Sequence, residues 1–389
     1  MTSVRPPGAT RLGWVDAVRA ACVLAVVLFH VTSWHALALE LPPVADRTWT
    51  VVDGYLGPMR MPLLLAVSGL LAGRRISLGW RSPSAAERAA SSYYLYLVWL
   101  AVYVALYAAL DAVLDARWLP HAINGPGEAV VELVWPQTPL WYVFALALYV
   151  LVLTSLSRVP PWAVLTGLAV VSVASQLGDW DVGLVEKIPD LAFFFGVGVY
   201  GRTPLSRFAE HLDWRRTAAA LAAAVTTVAA GSVLPAGAPH AALVLARGVA
   251  FLLLGVAAVV LLIRWSPLAR SGSWIGQHTL PIYVLHVPLL LVLLAVVGRE
   301  PTLPGPLANP AIALAYPVIV TAVLVGLTLV LHRTLLRLRC DALFAMPSSW
   351  TAALRRAHAG AVRSAVEPLA SPAENSMTSR PPGGARPTG

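Results

Sequence analysis

The chain has 389 residues, of which 58% are hydrophobic and 12% charged, with a mean hydropathy of +0.71. A soluble domain carries about 25% charged residues, so this composition cannot cover a water-facing surface; it excludes a soluble enzyme, a disordered protein and a secreted disulfide scaffold. The formal net charge of +9 reads as the basic loops of a membrane protein, not as a nucleic-acid surface.

Ten runs are apolar enough to be read as spans: 15–34, 51–73, 92–112, 139–156, 161–177, 188–201, 216–234, 241–263, 274–297 and 311–332. The fifth and sixth are short for the bilayer, and loop charge is what retains them. With the N-terminus cytoplasmic, 21 of the 28 basic residues fall on the inner side. Five fall outside: Arg47, Arg60, Arg117, Lys187 and Arg299. Arg19 and Arg247 lie within spans, while Asp115, Glu128, Glu132, Asp179, Asp181 and Glu186 gather outside. Removing either weak run inverts every later loop and destroys this bias. The expected fold is therefore an all-α integral membrane protein of about ten transmembrane helices with both termini cytoplasmic. Residues 1–14 form the N-terminal segment, 15–340 the transmembrane domain, and 341–389 a basic, largely disordered tail.

Arg5, Arg11 and the apolar run after them fit a secretory leader, but the run has span length and carries Asp16 and Arg19 at its start. In the tail, Trp350, Leu354, Ala357 and Ala361 recur at helical spacing beside Arg355 and Arg356, so a short helix on the inner leaflet and an unstructured tail both remain open. Cys22 and Cys340 give neither a disulfide framework nor a metal spacing. Arginine outnumbers lysine 27 to one (Lys187), the bias of a GC-rich bacterial coding sequence.

Ionisable groups inside a span are costly and point to function. The first span holds Asp16, Arg19 and His30. His30 stands eleven positions after Arg19, about three turns, so both lie on one helix face roughly 16 Å apart along the axis. Asp16, one turn before Arg19, can pair with it. A cation at the inner mouth can hold a phosphorylated ligand, and a histidine deeper in can accept and return a proton near neutral pH. Snorkelling for Arg19 and an interhelical hydrogen bond for His30 are the plainer readings of each residue taken singly.

The stretch RLGWVDAVRAACVLAVVLFH resembles the opening helix of the acyltransferase 3 family, whose signature is Arg or Lys, ten residues, then His. Met61–Arg75 resembles the family's second helix, with Ser68 in its Ser-Gly-Leu element. Pro139–Tyr149 resembles its Leu-Trp-Phe/Tyr segment, and Trp274–Leu291 its late Ile-Tyr-Leu-Leu-His helix. Two departures stand out. Ala20 replaces the usual glycine after the first-helix arginine, and the Arg-x-x-Arg element before the third helix survives only as Arg88.

The resemblance implies a membrane O-acyltransferase of the bacterial cell membrane, taking an acyl group, acetyl by default, from cytoplasmic acyl-CoA. The acceptor would be a hydroxyl of a glycan, as in polysaccharide modification, of a glycolipid or of a small metabolite. Acyl-CoA (acetyl-CoA) is a co-substrate; no tightly bound cofactor, metal or nucleic acid is expected, and the bilayer is the remaining partner. His30 is the expected general base, Arg19 grips the donor, and Asp16 orients Arg19. Arg74, Arg75 and Arg88 add positive charge for CoA, and Tyr283 with His286 serves the acceptor or the oxyanion. Ser68 is a packing or substrate contact, Trp141 a belt or stacking residue, Arg247 a snorkelling or acceptor-binding one, and His278 interfacial. Two rival readings are a transporter or flippase of a lipid-linked sugar and a catalytically inactive relative. The first would show repeated halves and mid-depth acids, and neither is visible.

Overall fold

The computed structural model describes residues 13–37, 39, 41–111, 121, 123, 125–178, 183–297 and 304–366. Arg5, Arg11, Asp115, Arg117, Asp179, Asp181 and Arg299, which entered the loop charges, lie outside the described residues, as does the tail beyond 366. Among the described residues all regular structure is helical. The helices are α1 (Gly13–His30), which runs on into a π-helical turn (Val31–Ala36), α2 (Pro43–Ser77), α3 (Pro83–Asp111), α4 (Pro126–Glu132), α5 (Trp141–Ser155), α6 (Pro161–Ser175) and α7 (Lys187–Tyr200). They continue with α8 (Arg202–Glu210), α9 (Trp214–Gly231), α10 (Ala238–Leu262), α11 (Ser266–Gln277), α12 (Thr279–Val297), α13 (Pro304–Leu307) and α14 (Pro310–Arg337). Residues 347–389 separate as a second unit that contains α15 (Ser348–Val366), so the amphipathic spacing around Trp350 does fold as a helix.

Nine of the ten apolar runs, in their described residues, each overlap one α-helix, the exception being 274–297. Among the described residues six helices are long and apolar enough to cross a membrane: the α1 stretch, α2, α3, α10, α12 and α14. Helices α5 and α6, at 15 residues each, are apolar but short, and α7 has 14. At about 1.5 Å per residue, 14 to 15 residues cover little more than 20 Å of a hydrocarbon core about 30 Å thick.

The run 274–297 is not one helix. It breaks at His278 between α11 and α12, because Pro281 has no N–H to continue the ladder back to Gln277 and so begins a new helix. α1 is the hub, packed on α2, α10, α11, α12 and α14. Its contact with α11 is backbone-close: a Cβ on Gly276 would stand 2.0 Å from the Asp16 carbonyl oxygen. The α2–α7 contact uses the same device. A Cβ on Gly198 would stand 1.8 Å from the Ala66 carbonyl oxygen, and one on Gly69 would stand 2.1 Å from that of Phe195. Small residues thus let short α7 lock onto α2 by van der Waals packing.

Candidate active site

The first-helix residues are placed by α1 and its neighbours. Asp16 is buried and lies 3.8 Å from the Arg19 guanidinium, one turn away. Arg19 also donates from Nη2 to the Thr279 hydroxyl at 2.5 Å. Thr279 is the first residue of α12, so the break at His278 is what presents it. Arg19 is therefore held from two elements before any ligand arrives.

Arg19 borders a cavity of about 220 Å³, which Ser68, Arg88, Tyr142, Thr279 and Tyr283 also line. The Ser68 hydroxyl is hydrogen-bonded to the Tyr142 hydroxyl at 2.7 Å. Arg88 lies within electrostatic reach of Arg19 and Arg75, so the surviving half of the incomplete Arg-x-x-Arg element sits with Arg19. Arg74 and Arg75 are exposed in the last turn of α2 and do not line the cavity. Trp141 is buried and does not line it either; its neighbour Tyr142 does.

His30 and His286 meet deeper along the same helices. His286 Nε2 is 3.3 Å from His30 Nδ1, with ring centroids 5.1 Å apart. The remaining contacts fix the tautomers. His30 Nδ1 lies 2.9 Å from the Val26 carbonyl oxygen, and His286 Nδ1 lies 3.1 Å from that of Ile282. A carbonyl oxygen only accepts, so both Nδ1 atoms carry hydrogen. His286 Nε2 is then an acceptor facing the His30 Nδ1–H, and the lone pair on His30 Nε2 is left to act as a base. A proton arriving there makes an imidazolium whose charge the Val26 carbonyl stabilises.

Trp34, on the π-helical turn that follows His30, packs edge-on against its ring at 4.6 Å. Such turns often occur at functional sites. Neither histidine lines the cavity at Arg19. Tyr283 does, and its ring is 5.9 Å from that of His286, one turn on. The Tyr283 hydroxyl donates to the Pro139 carbonyl, so it is engaged and not free as an oxyanion donor. Pro139 follows a segment held by Glu132, whose buried carboxylate accepts from the Gln137 N–H at 2.8 Å. Burial pushes the Glu132 carboxyl above its ordinary range.

Two further residues of this region were not singled out from the sequence. Thr279 carried no signal. Arg60, assigned above to an outer loop, lies inside α2 between Pro58 and Pro62, with its guanidinium 3.8 Å from the centre of the Phe29 ring. Its position within an apolar run was the available signal. Among the described residues no group of three or more His, Cys, Asp or Glu side chains is gathered as a metal site would need.

The helices that bring the two histidines together also carry an arginine-lined cavity, and six described helices are long and apolar enough to cross a membrane, which defines the class as a multi-pass helical membrane protein. The chain belongs to the acyltransferase 3 family, whose model, described as an acyltransferase domain, matches residues 12–331. It is similar to the inner membrane protein YcfT of Escherichia coli (strain K12), with 25% identity over 362 residues that cover 86% of this chain and 96% of that protein. No solved structure matches it.

Proposed function

We propose that this protein is an O-acyltransferase that moves an acyl group, acetyl in the simplest case, from cytoplasmic acyl-CoA to a hydroxyl on a carbohydrate, glycolipid or small metabolite. The observation that carries the reading is the tautomer pattern at His30 and His286, which leaves His30 Nε2 as a base on the helix that carries Arg19. In this reading His30 takes the acceptor hydroxyl proton as the oxygen attacks the thioester carbonyl carbon. The tetrahedral intermediate collapses with cleavage of the C–S bond, and the imidazolium returns the proton to the CoA thiolate. His286 is a positioning residue that accepts from His30 Nδ1–H and holds the ring in place. Arg19 and Arg88 bind the anionic donor, with Asp16 and Thr279 orienting Arg19. Arg74 and Arg75 raise the local positive potential from the rim.

The basic-loop bias supports ten spans with both termini cytoplasmic. The six long apolar helices and the likeness to an inner membrane protein support a bacterial inner membrane location. The test is transfer of radiolabelled acetyl from acetyl-CoA in inverted membrane vesicles, comparing wild type with His30→Ala at matched expression. Label entering a glycan, lipid or small product with wild type alone supports the reading and identifies the acceptor fraction. Failure of the purified protein to bind any acyl-CoA overturns it. Binding without transfer across several donors and acceptor fractions favours the inactive relative.

A further inference from the structure

A second cavity, of about 250 Å³, opens off α2 one to two turns before the first, between Gly57–Pro62 of α2, Ser172 and Gln176 at the end of α6, the first turns of α7, and Val244–Gly248 of α10. Three cations line it, Arg60, Lys187 and Arg247, against one carboxylate, Asp190. The cations come from three different helices.

Much of the surrounding polarity is satisfied internally. Gln176 donates to Asp190 Oδ1 at 2.8 Å, Ser172 donates to the Asp190 carbonyl at 2.6 Å, and Lys187 lies 3.5 Å from the exposed Glu186. The arginines are different. Arg60 Nη1 and Arg247 Nε are buried and, among the described residues, have no hydrogen-bond partner. A buried guanidinium nitrogen left unbonded is destabilising and calls for a ligand. The cavity also adjoins the chemistry: Arg60 stacks on Phe29, whose ring is 5.3 Å from that of His30, and its charge reaches His30.

We infer that this cavity is the acceptor's anchor and binds a phosphate group through Arg60, Arg247 and Lys187, so that the acceptor is a phosphorylated molecule whose hydroxyl extends toward His30. Phosphate suits the site better than carboxylate. Its oxygens point in several directions and can meet donors from three helices at once, whereas a carboxylate offers its oxygens in one plane; guanidinium forks pair with phosphate bidentately. The phosphate can be carried by a soluble sugar phosphate or by a lipid. The inference rests on the acyl-transfer reading for the role of acceptor, and on the cavity alone for phosphate binding.

The test uses the full-length protein in phosphatidylcholine nanodiscs with CoA at saturation. The two probes are glucose 1-phosphate, which is soluble, and dodecyl phosphate, which partitions into the bilayer. Lys187 is the chain's one lysine, so its rate of modification by an amine-reactive reagent, followed by mass spectrometry, reports occupancy without a variant. Bound phosphate should slow that reaction several-fold. R60Q and R247Q should each weaken probe binding about tenfold or more and leave CoA binding unchanged, while R60K and R247K, which keep the charge, should lose less. Preference for the soluble or the lipid probe names the source. Equal binding by wild type and the R60Q/R247Q double variant, or no Lys187 protection by either probe, overturns the inference. Loss of CoA binding and acyl transfer with phosphate protection intact would instead sink the enzymatic reading and leave the site standing.

Discussion

The two cavities follow one another along α2 but are built to opposite rules. At the Arg19 cavity three polar side chains have already found protein partners: Arg19 with Asp16 and Thr279, Ser68 with Tyr142, and Tyr283 with Pro139. At the Arg60 cavity the acid and amides pair among themselves, while guanidinium nitrogens of Arg60 and Arg247 are left unbonded. The first is a preorganised grip whose geometry does not wait for its ligand; the second is incomplete until one arrives. Preorganisation lowers the ordering cost of binding, so a donor cavity of the first kind should bind its ligand with little rearrangement. A cavity of the second kind should be stabilised by its ligand and should discriminate against neutral molecules.

Several experiments bear on that contrast, beginning with the largest effect. His30→Ala removes the proposed base, and acyl transfer should fall by about 10²–10⁴-fold while CoA and phosphate binding persist. A fall in CoA binding as well would mean that the cavities do not act as separate sites. Gly198→Val places a side chain where even a Cβ meets the Ala66 carbonyl at 1.8 Å, forcing α7 away from α2. Because α7 lines only the Arg60 cavity of the two, phosphate protection of Lys187 should be lost with CoA binding largely retained.

Arg19→Gln should weaken CoA binding by roughly ten- to a hundredfold, the value of a charge-assisted hydrogen bond of about 1.5–3 kcal/mol. It should leave phosphate binding intact, and calorimetry with each ligand separates the two outcomes. The smallest effect concerns the segment that holds Pro139. Because burial raises the Glu132 pKa in the folded state, its contribution to stability is complete below the ordinary carboxyl range and is lost as pH climbs through the raised value. Thermal melts of wild type should therefore weaken over that window, and Glu132→Gln should flatten the trend.

The parts of this picture legible in the sequence are those that depend on spacing along one helix or on depth. Asp16, Arg19 and His30 fall within α1 and its first turns of contact, and the depth of His286 brought it to His30. What spacing could not show is contact between distant elements. Thr279 reaches Arg19 only because Pro281 starts a new helix beside a glycine-mediated approach of α11 to α1. Arg74 and Arg75 have the right charge, but their place on the last turn of α2 leaves them at the rim, whereas Arg88 reaches the cavity from another helix. Arg60 was hidden by counting it with a loop; α2 begins at Pro43 and carries it within the helix. Short helices α6 and α7 answer to the fifth and sixth apolar runs, which loop charge retained where length alone would have passed over them.

The π-helical turn at Val31–Ala36 lets one continuous segment satisfy two alignments. Before it, the regular α geometry of Gly13–His30 works as a ruler, and a one-residue deletion between Arg19 and His30 would swing the histidine by about 100° around the axis. Within the wider turn the chain holds an extra residue, and beyond His30 the segment meets different partners: Thr32 donates to Asp53 at 2.5 Å, and His35 pairs with Tyr316 at 2.7 Å. The turn is thus a vernier between two scales. A deletion there would spare the Arg19–His30 spacing and shift the far end alone, so changes in chain length on either side of His30 are unequal in consequence although they occur in one helix.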